Sequence, residues 1–287
     1  MNNAKVTMLT PPEGKSTCVR LGIVALFAAI CVVGLFVPKI GFYVFAVFGM
    51  FTFLHAFWHG NERYGMKNML IFFVLSFVVS TFFEALSVRT GFPFGNYHYN
   101  IPGPSLLDVP LTTMILYFGM GYLAWSVGHV LTGQCGKKLE GLYIFLTPFV
   151  GAAVMVMWDV VMDPINSTLA SSWGGWVWHD GGNYFGVPIS NYLGWYFVVY
   201  LFMQLYALVL TKTDPAARNK KLILSPMYWM EAVVCYGVTA FFWLEICIGG
   251  EGHREIYSSL GLVCVFTMIF TSVIAVLLIV SNRHSTN

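Results

Sequence analysis

Charge is what this sequence has least of. Only 10% of its 287 residues are Asp, Glu, Lys or Arg, against about 25% in a soluble domain. The deficit runs along the whole chain, which excludes an ordinary soluble globule and points to lipid as the solvent. The net charge of +2 is too small to suggest a nucleic-acid partner. Six cysteines (Cys18, Cys31, Cys135, Cys235, Cys247 and Cys264) show no CxxC spacing. Most lie in apolar runs and read as small core residues, not as a disulfide frame or zinc site. There is no GxGxxG, phosphate-binding loop, haem or flavin signature, so no cofactor is expected. Heptads, low-complexity tracts and internal repeats are missing too. A single integral domain over residues 1–287 is the simplest division, and no motif assigns an oligomeric state. The polar tail, residues 1–18, lacks the form of a cleavable signal peptide.

What is there is oily: 57% hydrophobic and 17% aromatic, with mean hydropathy +0.71. A helix needs about 20 apolar residues to cross the hydrocarbon layer. Eight runs qualify: 19–37, 40–58, 69–88, 109–131, 142–161, 193–210, 227–248 and 260–280. They are too long and too uniformly apolar for barrel strands, and backbone groups in lipid must pair internally, which leaves helices. The expected fold is an all-α integral membrane bundle of about eight transmembrane helices, multi-pass in the cell membrane. Twelve Lys and Arg fall on one side: Lys5, Lys15, Arg20, Arg63, Lys67, Lys137, Lys138, Lys212, Arg218, Lys220, Lys221 and Arg283. Three fall on the other, Lys39, Arg89 and Arg254. By the positive-inside rule both termini are cytoplasmic.

This orientation collects the polar residues at one depth. Glu84, Asp108, Asp159, Asp163, Asn191 and Glu245 all fall at or near outer helix ends. Ionisable residues in spans are costly and usually face a bundle interior, so a polar pocket is expected in the non-cytoplasmic half. The longest connection, 158–196, adds three acids, His179 and five Trp around Gly-rich turns. Residues 84–196 form the motif-bearing core.

Each candidate has a sharp and a bland reading. Asp159 and Asp163 are four apart and share a helical face. Carboxylates that close resist ionising together, so one keeps a proton to donate. The bland reading makes Asp163-Pro164 a helix stop. Glu84 is either a functional acid or a structural one bonded to a loop. Asp108, just before Val109-Pro110, has the form of an N-cap as much as of a catalytic acid. Asn191 is either a cap of the sixth span or a polar group aimed into the pocket. His55 and His59 make an HxxxH pair that could bind metal, but they stand alone at the cytoplasmic end; interfacial or capping roles fit better, and no metal is expected. His98 and His179, one in each outer loop, could relay a proton or bond the backbone. Phe94, Tyr97, Tyr99, Trp173, Trp176, Trp178 and Trp195 are an interfacial belt in the bland reading. In the sharp one their ring faces stabilise a cation.

At these residues the chain resembles a known family. FEALSVRTGFPFGNYHY, GPSLLDVPL, WDVVMDP and WVWHDGGNYFGVPISNYLGWY occur in the order and spacing of the membrane carotenoid-biosynthesis proteins. These include bisanhydrobacterioruberin hydratases and γ-carotene 1′-hydratases. The resemblance covers roughly Glu84 to Tyr196, and the flanking spans fit only as hydrophobic helices. It implies addition of water across the terminal double bond of an acyclic carotenoid end.

The chemistry of the residues suits that implication. An unactivated alkene offers nothing to a nucleophile, but a desolvated acid can protonate it. Aromatic faces and a carboxylate stabilise the tertiary cation. Asp159 is the first choice as acid, with Glu84, Asp163 and Asp108 as partner acids or bases. Tyr97, Tyr99, Phe94, Trp178, His179 and Trp195 would bind a hydrophobic isoprenoid substrate, and Asn191 would position water. Three rivals stay open: a proton-initiated cyclase using the same acids, a prenyl-transferring enzyme reading DVVMD as a magnesium site, and a transporter or lipid binder with an acid relay.

Overall fold

Lipid offers no partner to a backbone N–H or C=O, so the apolar runs close their hydrogen bonds locally as helices. The computed structural model describes residues 15–36, 41–169, 175–214 and 225–284. Trp173, residues 1–14 of the N-terminal tail and the basic segment around Arg218 lie outside the described residues. The helices are α1 (Lys15–Phe36), α2 (Gly41–Thr90), α3 (Leu111–Leu131), α4 (Tyr143–Pro164), α5 (Ile189–Thr213), α6 (Pro226–Gly249), α7 (Arg254–Cys264) and α8 (Phe270–His284). A π-helical turn, Ile165–Leu169, extends α4, and another, Val265–Ile269, joins α7 to α8. Among the described residues, six helical stretches are long and apolar enough to cross a membrane. The protein is an all-α integral membrane protein, to which two short β-ribbons are added.

The second and third apolar runs are one helical stretch of 50 residues, interrupted at Gly65. Phe53 and Phe73, twenty positions apart, would lie about 30 Å apart on a straight helix. Their rings are instead 5.8 Å apart, and Phe57 is equally close to Phe73. The chain therefore doubles back at Gly65, whose φ of 76° and ψ of 154° belong to a region only glycine enters freely.

α3 is the centre of the bundle: 83% of its apolar stretch is buried, against at most 56% for the other candidate spans among the described residues. Small residues let its neighbours close in. A Cβ on Gly119 would meet the Thr52 side chain at 2.5 Å, and one on Gly128 would meet Gly151 Cα at 3.1 Å. The five described cysteines are free, four of them buried.

Several helix ends differ from the sequence reading. Asp163-Pro164 does not stop α4, because the π turn carries the helix on to Leu169. α5 begins at Ile189, so Asn191 sits inside its first turn and Pro188 is the N-cap residue. Pro110, not Asp108, holds the N-cap position of α3, and no side chain caps it.

Candidate active site

The two long loops at one end of the bundle are stitched together by a ribbon. Strand β1 (Tyr97–Tyr99) pairs antiparallel with β4 (Trp176–Trp178), in the register Tyr97↔Trp178, His98↔Val177, Tyr99↔Trp176. A second, smaller ribbon pairs β2 (Ser105–Leu106) with β3 (Val109–Pro110). Side chains alternate along a strand. The YHY and WVW triplets therefore turn Tyr97, Tyr99, Trp176 and Trp178 to one face, where they line a cavity, and leave His98 and Val177 exposed on the other. Gly95 (φ +134°) permits the tight approach; a Cβ there would meet Pro188 and Trp178 at 3.1 and 3.2 Å.

The cavity beneath the ribbon has a volume of about 280 Å³. Two acids line it, Glu84 near the end of α2 and Asp163 at the end of α4, with Trp158, Trp195 and the four ribbon aromatics. Among the described residues no Lys, Arg or His lines it.

Both acids are held by donors. Tyr99 and Tyr117 donate to Glu84 at 2.8 and 2.7 Å, and Tyr97 donates to the same oxygen as Tyr99. Trp176 and Trp178 donate their indole N–H groups to Asp163 Oδ1 at 2.9 and 3.1 Å. Asn191 Nδ2 donates to Asp163 Oδ2 at 2.7 Å and to Asp159 Oδ2 at 3.0 Å. A carboxylate accepts only, so Glu84 and Asp163 have three donors each while Asp159 has one. The other oxygen of Asp159, Oδ1, is buried with no hydrogen-bond partner among the described residues. Burial, then the neighbouring Glu84 charge, pushes the phenols of Tyr97 and Tyr99 well above the usual tyrosine range. Both remain O–H donors.

Eight residues singled out from sequence converge on the cavity: Glu84, Asp163, Tyr97, Tyr99, Trp176, Trp178, Asn191 and Trp195. Asp159 does not line it but is one hydrogen bond behind, through Asn191. Three others lie elsewhere. Asp108 is exposed in the β2–β3 turn, 3.2 Å from Arg89. His179 is exposed, and its Nε2 is 2.7 Å from His98 Nδ1 on the outer face of the ribbon. Phe94 is buried against Gly194, its N–H bonded to Ser87. Asn191 uses its Nδ2 group to join the two aspartates. Glu245 is outside the cavity.

Tyr117 escaped the sequence reading. It lies deep in an apolar helix, stacked on Trp195 at 4.4 Å and 11°. Nothing in LYFGMGY separates it from a packing aromatic, and only the fold brings its hydroxyl to Glu84. The YHY and WVW alternation was a visible signal for the ribbon, too short to stand out between helices.

The other end of the bundle holds a second polar cluster, and here the HxxxH reading needs correction. His55 and His59 are buried, and neither caps a helix end, because both lie inside α2. His59 donates from Nε2 to the Tyr228 carbonyl (2.9 Å) and accepts the Tyr122 hydroxyl at Nδ1 (2.6 Å). His55, His59 and Glu231 bring ligand-type atoms within 4.8 Å of one another. However, Arg20 Nε already donates to Glu231 at 2.8 Å, and both His59 nitrogens are engaged. Arg20 also pairs with Glu62, so the cluster ties α1 to α2 and α6.

A helical membrane protein with a buried, acid-lined, aromatic-walled cavity is the class that fold and site define. The chain matches the carotenoid biosynthesis protein family over residues 41–253 and belongs to it. It is also 31% identical over 114 residues to the bisanhydrobacterioruberin hydratase of Haloarcula japonica, a match covering 39% of this chain and 36% of that protein. The chain thus aligns with little more than a third of that relative's length. No solved structure matches it.

Proposed function

We propose that this protein is a membrane enzyme that protonates the terminal double bond of an acyclic carotenoid end and adds water across it. The observation that carries the reading is the cavity itself: two buried carboxyls among aromatic faces, with no basic side chain among the described lining residues. Such a site has nothing to hold a phosphate or an anionic leaving group. It suits an apolar substrate that becomes positive as it reacts. Membership of the carotenoid family and likeness to a bisanhydrobacterioruberin hydratase favour hydration.

The roles follow from the hydrogen bonds. Asp159 and Asp163, bridged by Asn191, hold one proton between them. Asp163 faces the cavity and presents the proton to the less substituted alkene carbon. The π bond supplies the electron pair, and the neighbouring carbon becomes a tertiary cation. Glu84, fixed by three phenols, and the indoles of Trp158 and Trp195 stabilise it. Water bonds to the cation, and Glu84 accepts the proton that the water loses. Exchange with solvent returns a proton to the aspartate pair.

The doubled-back α2 supports eight passes: α1, two in α2, then α3, α4, α5, α6 and the α7–α8 stretch. With the Lys/Arg asymmetry, both termini are cytoplasmic and the cavity lies in the non-cytoplasmic half of one integral domain in the cell membrane. The test is product mass. Purified protein with an acyclic carotenoid in heavy-oxygen water should yield a product heavier by one labelled water. Asp163→Asn, Asp159→Asn and Glu84→Gln should each lower turnover by about 10²- to 10⁴-fold, the range of general acid–base catalysis, while the protein still inserts. An isomer of the substrate as product would instead identify a cyclase, and full activity in all three variants would remove the acid mechanism.

A further inference from the structure

We propose that the cavity fills from the side, through a slot between the first half of α2 and the start of α3, and that only the end of the substrate enters while the rest of the chain stays in lipid. The proposal rests on the isoprenoid reading above and makes the enzyme selective for end group but tolerant of chain length.

The slot is visible in the exposure of the lining. Among the lining residues only Met50, Pro102 and Thr112 are exposed, and they mark the mouth. Met50 shares a helical face with Val47 and Leu54, at i−3 and i+4. The three are 51%, 42% and 57% exposed, an apolar strip of the kind that faces acyl chains. Met50 precedes the Gly65 turn by 15 residues, about 22 Å of helix. That depth is within an apolar layer of about 30 Å, so the mouth opens to lipid. At the loop end the ribbon roofs the cavity with Tyr97, Tyr99, Trp176 and Trp178.

Gly49 from α2 and Leu116 from α3, the two helices beside the slot, both line the cavity. A Cβ on Gly49 would already meet Leu116 Cδ2 at 3.4 Å. Any longer side chain there must fill the passage or displace Leu116. The cavity volume of about 280 Å³ is at the low end for ligand pockets, which run to about 1,000 Å³. It has room for the last isoprene units of a polyene and not for a long chain. A substrate of that shape can be held only if its remainder leaves through a mouth that opens into the bilayer.

The experiment uses the full chain in phospholipid vesicles loaded with acyclic polyenes of two lengths that share one end group, and with a polyene whose ends are closed into rings. Binding is read by quenching of protein tryptophan fluorescence, which needs no reaction. The two acyclic chains should bind within about threefold of each other and the ring-ended one at least about tenfold more weakly. Gly49→Leu should weaken binding of both acyclic chains by about tenfold or more. Thr112→Phe, at an exposed rim position that does not depend on core packing, should do the same if Gly49→Leu fails to fold. Leu54→Phe, on the same lipid face but outside the lining, should bind as the wild type does. Unchanged binding in Thr112→Phe and in a folded Gly49→Leu, a strong preference for one chain length, or no quenching of the wild type would each overturn the slot. Product mass is read separately: an isomer, or no turnover, would remove hydration while the binding comparison still decides the route of entry.

Discussion

Glu84 illustrates how a carboxyl survives in an apolar bundle. Three phenols from two different elements donate to it, Tyr97 and Tyr99 from β1 and Tyr117 from α3. Hydrogen bonds to a charged group contribute about 1.5–3 kcal/mol each. Tyr117→Phe removes one donor and keeps the ring stacked on Trp195, so turnover should fall roughly tenfold while the melting temperature drops by only several degrees and the protein still folds. A loss of folded protein with no kinetic change in the remainder would make Tyr117 structural only. The phenols of Tyr97 and Tyr99 also set a pH expectation. Burial first, then Glu84, raises them well above the usual tyrosine range. A raised phenol keeps its proton to higher pH, so neither donor is lost before about pH 10. The turnover profile should therefore show no alkaline limb from these groups across the neutral and mildly alkaline range. An alkaline limb below about pH 9 that vanishes in Tyr99→Phe would contradict this.

At the scale of elements, the site depends on two devices that join distant parts of the chain. One is the β1–β4 ribbon, whose two-residue period sends four aromatics inward and His98 outward. The other is the reversal of α2. Gly65 has φ 76° and ψ 154°, where a side chain costs about 1–3 kcal/mol. Gly65→Ala should therefore lower the melting temperature in detergent by several degrees, although nothing lies within 4 Å of the added Cβ. An unchanged melting temperature would mean that the turn can adopt another conformation. The apolar runs on both sides of Gly65 were legible as separate spans; their junction as a near-continuous helix was not. A turn that keeps helical hydrogen bonding around one glycine leaves only that glycine as its sequence mark.

For the whole molecule, the end opposite the cavity is pinned by buried ions. Arg63 Nη1 and Nη2 bond Asp214 at 2.5 and 2.9 Å, and Nη2 also reaches the Lys137 carbonyl at 3.1 Å. Both side chains are at most 2% exposed. This bidentate clamp joins the α2 turn, the end of α5 and the α3–α4 loop. Removing one member of a buried pair costs about 3–5 kcal/mol, because the other charge is left uncompensated. Arg63→Ala should accordingly give a protein that inserts poorly or melts far below the wild type, whereas an Arg63→Ala, Asp214→Ala pair should recover part of the loss. A double variant no better than the single one would show that the clamp is not the cause.

By itself the sequence determined the solvent, the helices and the charge asymmetry, because these depend on hydrophobic length and on counting Lys and Arg, which are local quantities. It also marked Glu84, Asp159, Asp163 and Asn191, since a polar residue in an oily run stands out wherever it lies. The tertiary structure decided which of them share a wall. Asp163 and Glu84 meet in one cavity, Asp159 stands behind Asn191, Asp108 turns to solvent, and Tyr117 arrives from a helix that looked purely apolar. Those relations come from packing between residues far apart in the chain. Neither spacing nor composition carries that information until the loops pair and α2 folds back.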